Sequence, residues 1–159
     1  MEERRLLTGP LPATGRRLRA VDATVVSEPG STGTNWRLHY SINLTNQQCD
    51  FFEITDVKGG ETIRRVPIEA GDIVVGDRLY SNSAGAAHVV GAGGDVLFRL
   101  NWKMLPLYRE DGRVLDAIAD FGKLKVGAIC DMPAWVLPKE GDAHVCLSSL
   151  TSLVISLVT

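Results

Sequence analysis

Cysteine is scarce in this chain of 159 residues: Cys49, Cys130 and Cys146 are widely separated, and no Cys-x-x-Cys pair occurs. That spacing supplies neither a disulfide framework nor a zinc site, and it suits a reducing, cytoplasmic setting. His39, His88 and His144 are equally dispersed, which removes a histidine-rich metal cluster. Neither charge sign dominates: 17 Lys and Arg face 19 Asp and Glu, a formal net charge of −2, so no strong non-specific grip on nucleic acid is expected. No apolar run reaches the ~20 residues that a membrane span needs. Residues 1–20 lack the apolar segment of a secretory signal, and without one the match Asn43-Leu44-Thr45 to a glycosylation acceptor is fortuitous.

Familiar catalytic signatures are missing too. Gly91-Ala92-Gly93-Gly94 lacks the third glycine of a dinucleotide fingerprint and does not stand between a strand and a helix start, so it reads as a turn. Lys58-Gly59 lacks the rest of a phosphate-binding loop. No serine lies in a nucleophile elbow, and no cysteine has an obvious histidine partner. His39 within a strand and His88 within a helix read as structural histidines, and Trp36 and Trp135 as packing residues.

What is present is an ordinary globular composition, 45% hydrophobic and 23% charged, in a chain long enough for one domain with a real core. Residues 1–17 are rich in Arg, Pro and Gly and read as a basic leader or linker. With Arg4, Arg5, Arg16, Arg17 and Arg19 against Glu2 and Glu3, the first twenty residues make a basic arm on an acidic body. Strands are expected over 18–26, 36–44 and 49–57, the last two joined through Thr45-Asn46-Gln47-Gln48, which makes an antiparallel meander. A helical turn over 61–66, an apolar strand over 73–77, a helix over 81–90 stopped by the glycine cluster, and a strand over 95–100 follow. Strand, helix, strand in that order implies a parallel crossover. The fold class is α/β, an open mixed sheet carrying a helix. Beyond Asn101 the pattern loosens: a loop over 104–113, a short helix over 114–121, and weak strands over 126–129 and 134–137.

Two carboxylates stand out against this background. Asp22 lies inside the first strand, where the pleat puts Ala20, Asp22 and Thr24 on one face and Val21, Ala23 and Val25 on the other. Asp77 ends the fourth. A carboxylate in such a place needs a partner, a proton or a metal. If the fourth strand runs parallel to the first, the two acids come side by side, an arrangement that suits Mg²⁺ and phosphodiester chemistry. The residues alone leave a second reading open, in which Asp22 faces solvent on an edge and Asp77 caps the next segment.

The stretch Leu18-Arg19-Ala20-Val21-Asp22-Ala23-Thr24-Val25-Val26-Ser27-Glu28-Pro29-Gly30, continued by Gly33-Thr34-Asn35-Trp36-Arg37-Leu38-His39-Tyr40, resembles the first catalytic block of DDE transposases from bacterial insertion sequences. Ile73-Val74-Val75-Gly76-Asp77-Arg78-Leu79-Tyr80 resembles the second, with Leu79 where that pattern often has glycine. The likeness covers roughly 16–140. It implies a ribonuclease-H-like core over 18–100, in the branch of the family with a β-rich insertion, here partial and covering 101–145. It further implies three carboxylates holding two divalent ions, Mg²⁺ or Mn²⁺, that activate water or a DNA 3′-hydroxyl, with DNA at transposon ends as partner. Asp22 and Asp77 match the first two carboxylates, catalytic and metal-binding together. Arg78, Arg99 and Lys103 are the candidate DNA contacts, with Trp102 available to stack on a base.

The third carboxylate belongs to a Tyr-x2-Arg-x3-Glu-x6-Lys pattern that no tyrosine here satisfies, and Glu110 imitates it only at the wrong spacing. Residues 146–159, apolar and uncharged, no longer resemble the family, and the upstream DNA-binding region is missing. The expectation is therefore an incomplete ribonuclease-H-like sheet, truncated at both ends and inactive in transposition. Alternatives are a complete Mg²⁺ nuclease recruiting Glu53 or Glu61, a non-catalytic module that binds and inhibits an intact transposase, and a domain with no DNA role.

Overall fold

The computed structural model describes residues 15–33, 35–116, 119 and 133–136. Three strands come first, β1 (Arg17–Val26), β2 (Trp36–Asn43) and β3 (Gln48–Asp56). A short 3-10 turn, Ile63–Arg65, leads into β4 (Asp72–Gly76), then α1 (Ser83–Gly91) and β5 (Asp95–Phe98). The five strands make one sheet in the order β3-β2-β1-β4-β5. β2 is antiparallel to both β1 and β3, while β4 runs parallel to β1 and β5 parallel to β4. The expected mixed sheet and its elements are thus present within this range.

Local chemistry explains the element ends. In the β2–β3 hairpin, the Asn43 and Asn46 side chains accept from the backbone N–H groups of Thr45 and Gln48 at 2.9 and 3.1 Å. These Asx turns reverse the chain. Asn82 caps α1 by accepting from Gly85 N–H at 2.9 Å. At the other end Gly93, with φ +83°, lets the Gly93 and Gly94 N–H groups turn back onto Val90 and Val89.

One face of the sheet is covered. Val21 and Val74 pack there with Ile63, Val66, Tyr80 and Val89 of α1. Gly85 permits this close approach, because a Cβ there would lie 2.9 Å from Ile63 Cγ2. A second cluster joins Ala86 of α1 to Leu105, Leu107, Leu115, Ala134 and Val136, and Tyr108 bridges both Val114 and Trp135. Nothing among the described residues covers the opposite face of the sheet, the open face. Trp36, Phe52, Ile54 and Leu97 are exposed, and Val26, Trp36, Leu38 and Ile54 line a groove of about 460 Å³.

Several expectations need correction. Trp36 is not a packing residue: it lies on the open face, where nothing among the described residues covers it. Val114 does not begin a helix but bridges Tyr108. Much of the expected 114–121 helix, the 126–129 strand and the 146–159 tail lie outside the described residues. The basic arm also loses its inner members. Arg16 pairs with Asp95, and Arg17 and Arg19 belong to β1, where both meet carboxylates.

That meeting is the main feature absent from the sequence-based reading. Arg19 is only 3% exposed and Asp72 only 1%. Arg17 Nε and Nη2 donate to the two Asp72 oxygens at 2.7 and 3.0 Å. Arg19 Nη1 donates to Asp72 Oδ2 at 3.0 Å and to the Pro67 carbonyl at 2.6 Å. Its other nitrogens face Asp50, with Nε–Oδ2 2.8 Å and Nη2–Oδ1 3.0 Å. Asp50 reaches this side through a bulge: Ser41 pairs with Phe51, but Ile42 already pairs with Cys49. The extra residue turns Asp50 toward Arg19. Burial alone would push the Asp72 carboxyl up. Hydrogen bonds from Arg17, the Glu69 N–H and Arg19 outweigh that and hold it below its ordinary value.

His39, expected to be structural, is buried and its Nε2 lies 2.9 Å from Thr55 Oγ1. Burial, helped by Arg65, lowers its pKa. Both groups therefore bind protons more readily in the unfolded chain than in the folded one, so acid destabilises the fold. Stability is expected to fall in two steps as pH drops. The His39 share is lost below its ordinary value of 6.5, and the Asp72 share, complete above 3.8, is lost below it. Urea midpoints measured across pH would resolve the steps, and His39→Gln should remove the upper one. Asp72→Ala strands two arginines and should cost about 3–5 kcal/mol in the same assay at neutral pH.

Candidate active site

The parallel register of β1 on β4 runs Arg17↔Asp72, Leu18↔Ile73, Arg19↔Val74 and Ala20↔Val75. Carried two residues further, the same offset sets Asp22 level with Asp77. In β1 Asp22 shares its face with Ala20, the open face, while Asp77 directly follows Gly76, the last residue of β4, where a continued pleat would give it the face of Val75. Both are exposed. The chain leaves β1 toward β2 on one side and leaves β4 toward β5 on the other.

Each carboxylate is held from one side. Tyr40 stands opposite Asp22 in the β1–β2 register, and its hydroxyl donates to Asp22 Oδ2 at 3.0 Å. That hydrogen bond, with some burial, raises the Tyr40 pKa. Asp77 Oδ1 accepts from the Leu79 N–H at 2.8 Å, an Asx turn that caps the following segment. Tyr80 is buried beneath this end. Its pKa is raised by burial first, then by the charges of Glu61, Asp22 and Asp77, so one phenol senses both aspartates.

The candidate DNA contacts gather at the same end. Arg78 directly follows Asp77, and the Arg99 N–H donates to the Gly76 carbonyl at 3.2 Å. Asn101 fastens the two segments, its N–H donating to Ser81 Oγ at 3.1 Å and its side-chain amide to the Arg78 carbonyl at 3.5 Å. Lys103 Nζ sits 5.4 Å from the Trp102 ring centroid. Arg78, Arg99, Trp102 and Lys103 are all exposed.

The other acids considered do not join the pair. Glu53 is paired opposite His39, which sets it on the covered face, and it binds Arg65 at 3.0 Å. Glu61 lies 3.6 Å from Arg37. Among the described residues no three His, Cys, Asp or Glu side chains converge as a metal site. Two exposed carboxylates nevertheless fit Mg²⁺ or Mn²⁺, hard ions that often take one or two protein carboxylates and complete their shell with water and substrate phosphate. Tyr40, Ser81 and Asn101 escaped the sequence reading. The long β1–β2 connection hides the register that faces Tyr40 with Asp22.

Comparison with known proteins supplies the relatives. Over 115 residues, 72% of this chain, the sequence is 30% identical to the transposase for insertion sequence element IS421 from Escherichia coli. It matches to the same extent InsL, the named transposase candidate of insertion sequence element IS186A in Escherichia coli strain K12. The matched stretch is 31% of each relative, so the chain spans about a third of the length of these curated relatives. No protein-family model matches the chain, and no solved structure matches it. No helix among the described residues is long and apolar enough to cross a membrane.

The backbone that delivers Asp77 has little room. A Cβ on Gly76 would lie 3.0 Å from Tyr80 Cβ and 3.2 Å from the Phe98 ring. Gly76→Val is therefore expected to lower stability by about 1–3 kcal/mol through overpacking, read as a reduced urea midpoint.

Proposed function

Because the chain is related in sequence to a stretch of insertion-sequence transposases, we propose that residues 18–100 are a ribonuclease-H-like core of the DDE type. Asp22 and Asp77 are two of its three metal-binding carboxylates. The observation that supports this reading is the parallel register of β1 on β4, whose offset of 55 residues from Arg17↔Asp72 to Ala20↔Val75 is the offset between Asp22 and Asp77. Divalent ions bound there, Mg²⁺ or Mn²⁺, supply Lewis-acid activation of water or a DNA 3′-hydroxyl for attack on phosphorus. The chain's own residues do the rest. Asp22 and Asp77 offer hard oxygen donors on the open face. Arg78, Arg99 and Lys103, exposed at the same end, neutralise phosphates of transposon-end DNA and fix its position without reading sequence. Trp102 offers a stacking surface beside Lys103.

The β-rich insertion is assigned to residues 101–145, of which 101–116, 119 and 133–136 are described. In support, Tyr108 pairs with both Val114 and Trp135, and Leu105 and Leu107 pack against α1. These 159 residues by themselves contribute two of the three carboxylates, so they are expected to bind a divalent ion weakly and not to transfer strands.

Calorimetric titration of the 159-residue chain with Mn²⁺ tests the site. Asp22→Ala and Asp77→Ala should each weaken binding at least about tenfold, while Glu53→Ala leaves it unchanged. Binding that survives both aspartate substitutions together would remove the reading. Reversing Arg78, Arg99 and Lys103 to glutamate should weaken DNA binding for all sequences alike and flatten its salt dependence.

A further inference from the structure

The hydrogen bond between strands β1 and β2 at Asp22 points to a role for a residue that is not itself one of the carboxylates. We infer that Tyr40 is the positioning residue for Asp22, an inference that rests on the metal-site reading above. Its phenol hydroxyl holds Oδ2 so that Oδ1 is presented to a divalent ion.

Three observations carry it. Tyr40 and Asp22 are direct cross-strand partners, so their side chains stand on the same face and need no backbone movement to meet. The hydroxyl donates to Oδ2 at 3.0 Å. Tyr40 is in turn paired opposite Phe52 of β3 on that face, which fixes the backbone that bears the phenol within a three-strand register. Asp77 is treated alike by a different donor, the Leu79 N–H on Oδ1. Among the described residues each carboxylate thus has one oxygen engaged by a hydrogen bond, Oδ2 of Asp22 and Oδ1 of Asp77. Outer hydrogen bonds of this kind orient metal-binding groups, and their removal typically costs about 10–100-fold in affinity.

The phenol contributes no metal-binding atom in this scheme. Its effect must therefore pass through Asp22, and that makes the inference separable from a purely structural contribution by Tyr40. Tyr40→Phe keeps the ring and its packing and removes only the donor.

The test is a double-mutant cycle on Mn²⁺ affinity, with thermal unfolding in EDTA as the second readout. Tyr40→Phe is expected to weaken Mn²⁺ binding about tenfold while the melting temperature without metal stays within a few degrees of wild type. In an Asp22→Ala background the same substitution should change the affinity no further, because the group it positions is gone. Wild-type affinity in Tyr40→Phe, alongside a loss in Asp22→Ala, would overturn the role of Tyr40 and leave the metal site standing. An equal loss from Tyr40→Phe in both backgrounds would overturn it as well, marking a general effect on the fold. Undiminished binding in Asp22→Ala would overturn the metal-site reading, and the inference with it.

Discussion

The ion pair between Arg17 and Asp72 spans the first rung of the β1–β4 ladder, and the rest of the arrangement depends on it. The two residues are backbone partners, and the Arg17 guanidinium grips both Asp72 oxygens. A register slip of one residue would turn every later side chain of β1 to the other face relative to β4. Asp22 and Asp77 would then lie on opposite sides of the sheet. Locking the first rung by charge therefore fixes the relation between two acids five residues further along each strand.

This lock is expensive to build in a buried setting, because each ion must leave water. The structure offsets that cost by saturation. Asp72 takes donors from Arg17, Arg19 and the Glu69 N–H. Arg19 is shared between Asp72, Asp50, Ser41 and the Pro67 carbonyl. The bulge in β3 that brings Asp50 across belongs to the same network. Charge is thus buried and paired at one end of the sheet and left exposed at the other. The covered face carries the first group, the open face the second. α1 contributes to both apolar clusters, through Val89 and Ala86, and so ties the segment after β5, with its exposed cations, to the sheet that bears the aspartates.

Much was legible along the chain because the signals were local. Alternating β-branched runs marked the strands, Asn and Gly marked the hairpin and the helix ends, and the apolar 73–77 run marked β4. The aspartates were visible because charge inside a strand-like run is unusual. The buried network was not legible. Arg17 and Arg19 sit beside Arg4, Arg5 and Arg16 in sequence and read as one basic arm, and only the pleat separates a strand arginine from a leader arginine. Asp50 was hidden by a bulge, Asp72 by its place at a strand start, and Trp36 because its identity alone does not say which face of the sheet it takes.

The sequence by itself determined which segments of the described sheet are strands and the 55-residue interval between the two acids, because these follow from side-chain type and near-neighbour spacing. Tertiary structure alone decided that β4 lies beside β1, that Asp22 faces Tyr40, and that Glu53 and Glu61 pair with arginines instead of joining the aspartates. Those outcomes rest on strand order and register, which are set by contacts between residues far apart in the chain, and no local pattern encodes them.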